Sequence, residues 1–266
     1  MTPLLSPASY LDHLRRESAR FRDVLAGCDP AARVPGCPEW DAADLLWHLA
    51  EVQWFWGTTV RTRPADADED AEGPDRPATH DGLLAAYDEW SAALAEELAG
   101  ADPGDACWTW SQDHTVAFVL RRQAHEAMVH RLDAEQAAGA VTPLPADLAA
   151  DGVLECLDVM FGGEPSWGSF TPGDQHVRID CTDTGDSVWV VLGRFAGTDP
   201  RDGQVYDDVD VHAVPDPGTD PAVVVSGPAA ALVTWLWRRG DDAEVTVSGD
   251  PATYGAFRSA VNHPIN

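Results

Sequence analysis

Residues 115–135 read TVAFVLRRQAHEAMVHRLDAE, and their helical periodicity sets the architecture of the first half of the chain. At about 100° per residue, Glu126 and His130 lie about 40° apart, stacked one turn from each other. With Glu126 as origin, Val116, Val119, Leu120, Ala127 and Ala134 fall in an arc from about 20° to 120°. Arg121, His125, Arg131 and Glu135 fall mostly elsewhere, and His125 is expected to be partly exposed. The carboxylate and the imidazole therefore sit at the edge of, or inside, the face that turns towards a helical core. Burying an unpaired carboxylate is costly, so Glu126 needs a cation, a proton or a partner there. A metal ion between Glu126 and His130 satisfies both groups.

A third ligand comes from an earlier segment. In Ala42 to about Arg61, Leu45, Leu49, Val52 and Phe55 mark a buried stripe, and His48 belongs to it. Two helices can thus direct His48, Glu126 and His130 to one point. Three protein ligands with coordination positions left open is the pattern of a catalytic site rather than a closed structural one. Taken singly, each residue has a plainer reading, as a hydrogen-bonded core histidine or a structural Glu–His contact. The string HEAMVH does not make a zincin motif, because His125 and His130 are five apart and point about 140° away from each other.

Working outward, the segment from about Pro7 to Ala26 has Tyr10, Leu14, Phe21 and Leu25 at helical spacing. The Pro- and Gly-containing loop CDPAARVPGCPEW (28–40) follows, and Asp41 reads as an N-cap. A third helix is expected from about Gly82 to Leu98 and a fourth from Thr115 to Ala138. Between the second and third, RPADADEDAEGPDRPATHD (63–81) is acidic and poor in apolar residues, and reads as an exposed, mobile loop. Four helices with one long crossover form a bundle. After GAVTPLPAD the pattern changes. One helix, Ala146 to Met160, precedes short alternating runs: HVRID, SVWVVL, DVDVHAV, AVVVSG and EVTVSG. The segments PAAALVTWLWRRG and PATYGAFRSAV read as helices. The expected fold is a four-helix bundle over residues 1–142, followed by a small α+β domain with an antiparallel or mixed sheet over 143–266.

Composition narrows the function. In 266 residues, 45 acidic side chains face 17 basic ones, a formal charge of −28. Such a surface repels nucleic-acid phosphates and anionic membranes. No stretch approaches the roughly 20 apolar residues that span a bilayer, and MTPLLSPASYLDHLRRE lacks the basic and apolar regions of a signal peptide. Five cysteines without CxxC spacing argue against a disulfide framework or a cysteine–zinc site, so a cytoplasmic protein is expected. Cys37 reads as a packed thiol, though it lies in the loop before the His48 helix. Trp47, Trp54, Trp56, Trp108 and Trp110 read as core and pocket wall. No glycine-rich phosphate loop stands in a strand–turn–helix context.

The segments VPGCPEWDAADLLWHLAEV (34–52) and LRRQAHEAMVHRLDAEQAAG (120–139) resemble the two signature stretches of the mycothiol-dependent maleylpyruvate isomerase family. The resemblance implies a DinB-like four-helix bundle followed by a sterol-carrier-like α+β domain. It also implies zinc held by His48, Glu126 and His130, although nickel or iron accepts the same ligand set. Mycothiol, a thiol of actinobacteria, is the implied cosubstrate, with a small electrophilic and anionic molecule as its partner. In an isomerase of this kind the thiolate adds to an activated C=C bond, the single bond rotates, and elimination returns the trans alkene. In an S-transferase the thiol stays on the product. The segment around Arg238 and Arg239 resembles the family stretch that carries a functional arginine facing the interdomain cleft; helix C-terminal charge compensation is the plainer reading. Arg131 and Asp133 match an HRxD-like continuation, and Asp133, about 20° from Glu126, is in reach of a ligand. A non-catalytic metal-containing binding or regulatory protein, and a metal-dependent hydrolase or an enzyme using another thiol, fit the same three ligands.

Overall fold

The computed structural model describes residues 4–65, 73–263 and 265. The most acidic part of the expected loop, 66–72, lies outside the described residues. The chain divides into two compact units, one of Leu5–Leu144 and one built from Pro145–Asn266. No helix among the described residues is long and apolar enough to cross a membrane.

The first unit contains α1 (Pro7–Ala26), α2 (Ala42–Thr62), α3 (His80–Gly100) and α4 (Val116–Ala138). Each begins at a residue whose side chain satisfies an otherwise orphaned backbone N–H. Ser6, Asp41, Thr79 and Thr115 fill this role, and Asp41 and Asp44 form a reciprocal capping box. Gly139, with φ 72°, closes α4 in the left-handed conformation that glycine adopts without steric cost. Helix α1 packs chiefly on α4 and α2 on α3. Phe21, Leu25, Leu45, Leu46, Leu49, Leu83, Leu84, Tyr87 and Ala134 form one continuous core between them.

Helix α4 is buried on two sides, which corrects the expectation for His125. That residue is fully buried, with the Tyr10 ring of α1 edge-on to it at 6.3 Å between centroids. Arg131 and Glu135 are buried as well. The expected apolar arc marks one packed face; on the other, charges that neutralise one another lie among buried Ala124, Met128 and Leu132. Arg131 donates from Nε to Glu17 Oε2 at 2.8 Å and from Nη1 to Glu135 Oε2 at 2.9 Å. It also donates to the carbonyls of Thr142 and Pro143. Glu135 accepts from the Thr142 N–H and from Arg20. This network fastens α1, α4 and the chain leaving α4.

The second unit begins with α5 (Ala146–Glu155), which passes into a π-helical turn (Cys156–Phe161) instead of continuing as α-helix to Met160. Cys156 and Phe161, at the two ends of this turn, are both buried. Five strands follow: β1 (Gly168–Cys181), β2 (Ser187–Thr198), β3 (Val205–Val214), β4 (Val223–Gly227) and β5 (Thr246–Gly249). Their order is β3-β2-β1-β4-β5, and the sheet is mixed because β1 and β4 run parallel while the other neighbours are antiparallel. The register sets Val190 beside Val177 and Val177 beside Val223, then Val188 beside Ile179 and Ile179 beside Val225. These residues are buried and give the sheet its packed face. Strands β1 and β2 extend well beyond HVRID and SVWVVL. The extensions are rich in Gly, Thr and Pro, and bare glycine surface there accommodates aromatic rings: a Cβ on Gly193 would meet the Phe170 ring at 2.4 Å. Helices α6 (Ala229–Leu236) and α7 (Pro251–Val261) complete the unit.

Replacing Arg131 by Met strands the buried carboxylates of Glu17 and Glu135, and is expected to cost about 3–5 kcal/mol in urea unfolding. The same network makes stability pH-dependent. Burial opposes ionisation of Glu135, but the Thr142 N–H, Arg20 and Arg131 outweigh it and lower its pKa from 4.5. A lowered folded value means that the contribution is complete above the unfolded pKa and fades as pH falls through the folded one. Acid unfolding curves measured from pH 7 down are expected to be shallower for Glu135→Gln than for the wild type.

Candidate metal centre

The centre lies between α2 and α4. The Asp41–Asp44 capping box starts α2 so that Leu45 and Leu49 enter the core, which leaves His48 on the edge of the buried stripe. On α4, Glu126 and His130 are neighbours one turn apart. His130 Nε2 and Glu126 Oε1 are 3.1 Å apart, and His48 Nε2 is 3.7 Å from the same oxygen. The two imidazole rings sit 4.9 Å apart and nearly perpendicular. Donor atoms of His48, Glu126 and His130 all lie within 4.8 Å of one another, and no other such cluster exists among the described residues. The three side chains named from sequence are therefore brought together.

Two neighbours hold the α4 donors in place. His130 Nδ1 donates to Asp133 Oδ2 at 3.0 Å, and the Asp133 side chain is fully buried. Arg122 donates from Nη2 to Glu126 Oε2 at 2.8 Å, so the second carboxylate oxygen is occupied and Oε1 faces the histidines. Burial works against the charge on Glu126, but Arg122, His130 and His48 outweigh it and hold the carboxyl well below its usual range. For His130, burial opposes the imidazolium, yet hydrogen bonds to Asp133 and Glu126 push its pKa up to about 9. The hydrogen-bonded atoms Nε2 and Oε1 are the ones that would turn to a cation held there.

These residues fit a divalent metal on chemical grounds. Two imidazoles and one carboxylate are ordinary ligands of zinc, nickel and iron. With Nδ1–H committed to Asp133, loss of the Nε2 proton leaves the tautomer that a metal ligand requires.

Trp40 is a member of the site that helical periodicity cannot reveal, because it lies in the loop before α2. Its ring is 4.6 Å from that of His48 and 6.3 Å from that of His130. Its place directly before the Asp41 cap is the only local signal. Arg122 had a clearer one, four residues before Glu126 on the same helix. Among the other tryptophans, Trp56 is buried and faces Trp108, whereas Trp110 is half exposed and does not line the core. Cys37 packs against the hydrophobic core of the bundle. All five cysteines are free, and Cys107, Cys156 and Cys181 are buried.

Arg238 and Arg239 belong to the second unit. Arg238 is exposed, with φ 59°, and Arg239 donates from Nη1 to the Trp237 carbonyl at 2.9 Å.

Residues 11–135 match the family described as mycothiol maleylpyruvate isomerase N-terminal domain, and residues 147–256 match the C-terminal domain of the same family. No curated protein sequence matches the chain. Two crystal structures resemble it, that of a mycothiol-dependent maleylpyruvate isomerase and that of a single-substitution variant described under the same name. Each is 16% identical, with a TM-score of 0.58 and coverage of 92% of this chain and 93% of the other. At that identity the likeness is one of fold. With both domain families matched in order over most of its length, the chain belongs to the mycothiol-dependent maleylpyruvate isomerase family.

Proposed function

We propose that this protein is a metal-dependent enzyme that activates mycothiol for addition to a small, anionic electrophile, as an isomerase or an S-transferase. The observation that carries the proposal is the convergence of His48, Glu126 and His130 within 4.8 Å, with His130 oriented by buried Asp133. A divalent ion held there, zinc by family, would lower the pKa of a thiol so that thiolate is available at neutral pH without any protein cysteine.

The surrounding residues are suited to that task. Arg122 keeps Glu126 ionised and reserves one oxygen for the ion. With neutral imidazoles, Glu126 and Asp133 contribute two negative charges and Arg122 one positive. A dication therefore leaves a single positive charge, which one anionic sulfur would balance. Trp40 walls the side of the cluster next to His48 and limits water there. Arg238 or Arg239 would orient a carboxylate of the substrate. A cytoplasmic setting suits five free cysteines and a reduced low-molecular-weight thiol. Isomerase and transferase outcomes share the first step and diverge only in whether the sulfur leaves.

Purified wild-type protein is expected to carry, or to accept, about one zinc ion per chain by metal analysis. Incubation with mycothiol and a panel of activated alkenes should then give an isomerised product or a conjugate by mass spectrometry. Protein that cannot be loaded with zinc would refute the metal assignment, and a loaded protein that is inert across the panel would favour a binding role. Glu126→Ala is expected to abolish thiol-dependent turnover and metal retention while the far-ultraviolet circular dichroism of the bundle is unchanged. Asp133→Asn should weaken metal binding by about 10- to 100-fold in chelator competition.

A further inference from the structure

The buried polar side chains of α4 are matched to one another and to α1. Arg122 bonds to Glu126, His130 to Glu126 and Asp133, and Arg131 to Glu17 and Glu135. Gln123 breaks this pattern. It is 1% exposed, and neither Oε1 nor Nε2 has a hydrogen-bond partner among the described residues. No other described side chain leaves two buried polar atoms unsatisfied. Gln53, the buried glutamine of α2, donates from Nε2 to Ser18 Oγ at 3.0 Å and leaves only its oxygen.

An orphaned amide in a dry interior is destabilising, and each of its two ends adds to the cost. Leucine fills a similar volume and has no polar atom to satisfy. The neighbouring positions Val119 and Leu120 are apolar and buried. Packing alone therefore gives no reason for an amide at position 123, whereas a bound group that supplies its missing partners does.

Its place on the helix indicates what that group is. Relative to Glu126, Arg122 lies at about −40°, His130 at about +40° and Gln123 at about +60°. The Glu126 side chain reaches back over the turn of residues 122 and 123, where Arg122 Nη2 meets Oε2 at 2.8 Å. Arg122 thus takes the carboxylate from one flank. Gln123 stands on the other, the flank to which Oε1 turns to meet His130 Nε2 at 3.1 Å and His48 Nε2 at 3.7 Å. Side chains three apart on a helix are neighbours, with Cβ atoms about 5–6 Å apart, a gap that a glutamine spans. The amide is in reach of the atoms that would hold a cation, on the buried face of α4.

We propose that Gln123 is a further polar contact of the metal centre, whose amide hydrogen-bonds the exchangeable ligand of the ion and not the ion itself. An amide carries both an acceptor and donors. Its carbonyl can accept from a bound water, and after a turn about the last side-chain bond its N–H can donate to a thiolate. A carboxylate at this position would serve only the first state and a guanidinium only the second. This role rests on the metal and the thiol proposed above.

The test uses the full-length protein loaded with cobalt(II) in place of zinc and titrated with mycothiol, with no electrophile present. Sulfur binding is read from sulfur-to-cobalt charge-transfer absorption. Gln123→Leu is expected to weaken mycothiol binding about tenfold or more, as loss of a hydrogen bond to a charged group does. Cobalt affinity should stay close to that of the wild type, because all three protein ligands remain. In metal-free protein the same substitution should raise Tm, since two unsatisfied polar atoms leave the core. A gain in stability with a loss of thiol binding separates a ligand contact from a structural role. Gln123→Met, closer in shape to glutamine, is the second variant. A lower Tm in both metal-free variants, a cobalt affinity that falls along with thiol affinity, or mycothiol binding equal to the wild type would overturn the role of Gln123 and leave the metal centre standing. Wild-type protein that takes up no cobalt, or takes it up and binds no mycothiol, would instead refute the proposed function and the role of Gln123 with it.

Discussion

Charge buried on both sides of one helix is the constraint on which the N-terminal unit depends. On the side of α4 that meets α1, Arg131 sits between Glu17 and Glu135. On the side that meets α2, Glu126 sits between Arg122 and two imidazoles, with Asp133 behind one of them. Neither set tolerates the loss of a member cheaply, because an unpartnered ion in a dry interior is far less stable than a paired one. The two sets differ in completeness. Arg131 is saturated by carboxylates and backbone carbonyls, whereas Glu126 Oε1 and His130 Nε2 meet only each other and the His48 ring. The first set is a fastening; the second is the candidate metal centre.

The fastening serves that centre. Arg131 is the residue after His130, and its bonds to α1 and to the chain beyond Gly139 restrain α4 where the ligand donors project. Two donors from a stiff helix and one from a capped neighbour give a preorganised set that needs little rearrangement to accept an ion. His48 is the partly exposed member of the cluster, with a third of its side chain accessible, while His130 and Asp133 are buried.

Much of this was legible in the sequence because helical periodicity speaks directly about which residues share a face. Glu126 and His130 fell on one stripe, Asp133 close to it, and His48 on the stripe of α2; Asp41 and Thr115 announced where those helices begin. What remained hidden required knowledge of what packs where. His125, Arg131 and Glu135 lie on a face where Ala124, Met128 and Leu132 are interleaved with charged residues, so it resembled a solvated face until α1 covered it. Trp40 lies outside any periodic segment. In the second unit, alternation located the cores of the strands, but the parallel pairing of β1 with β4 is a non-local choice, and the glycine-rich ends of β1 and β2 looked like turns. The left-handed residue after α6 is Arg238 although Gly240 stands two positions on, and arginine pays a steric penalty in that conformation that no sequence pattern announces.

The scarcity of reactive nucleophiles on the chain itself has a chemical consequence. There is no side-chain amine, and burial raises the pKa values of Cys107 and Cys181, the latter to about 12. For the function proposed above, a chain with so little amine or thiolate of its own to offer would be spared self-alkylation by an electrophilic substrate. Selectivity would then reside partly in what the chain lacks, because a small thiol brought in as cosubstrate would meet little competition from the host.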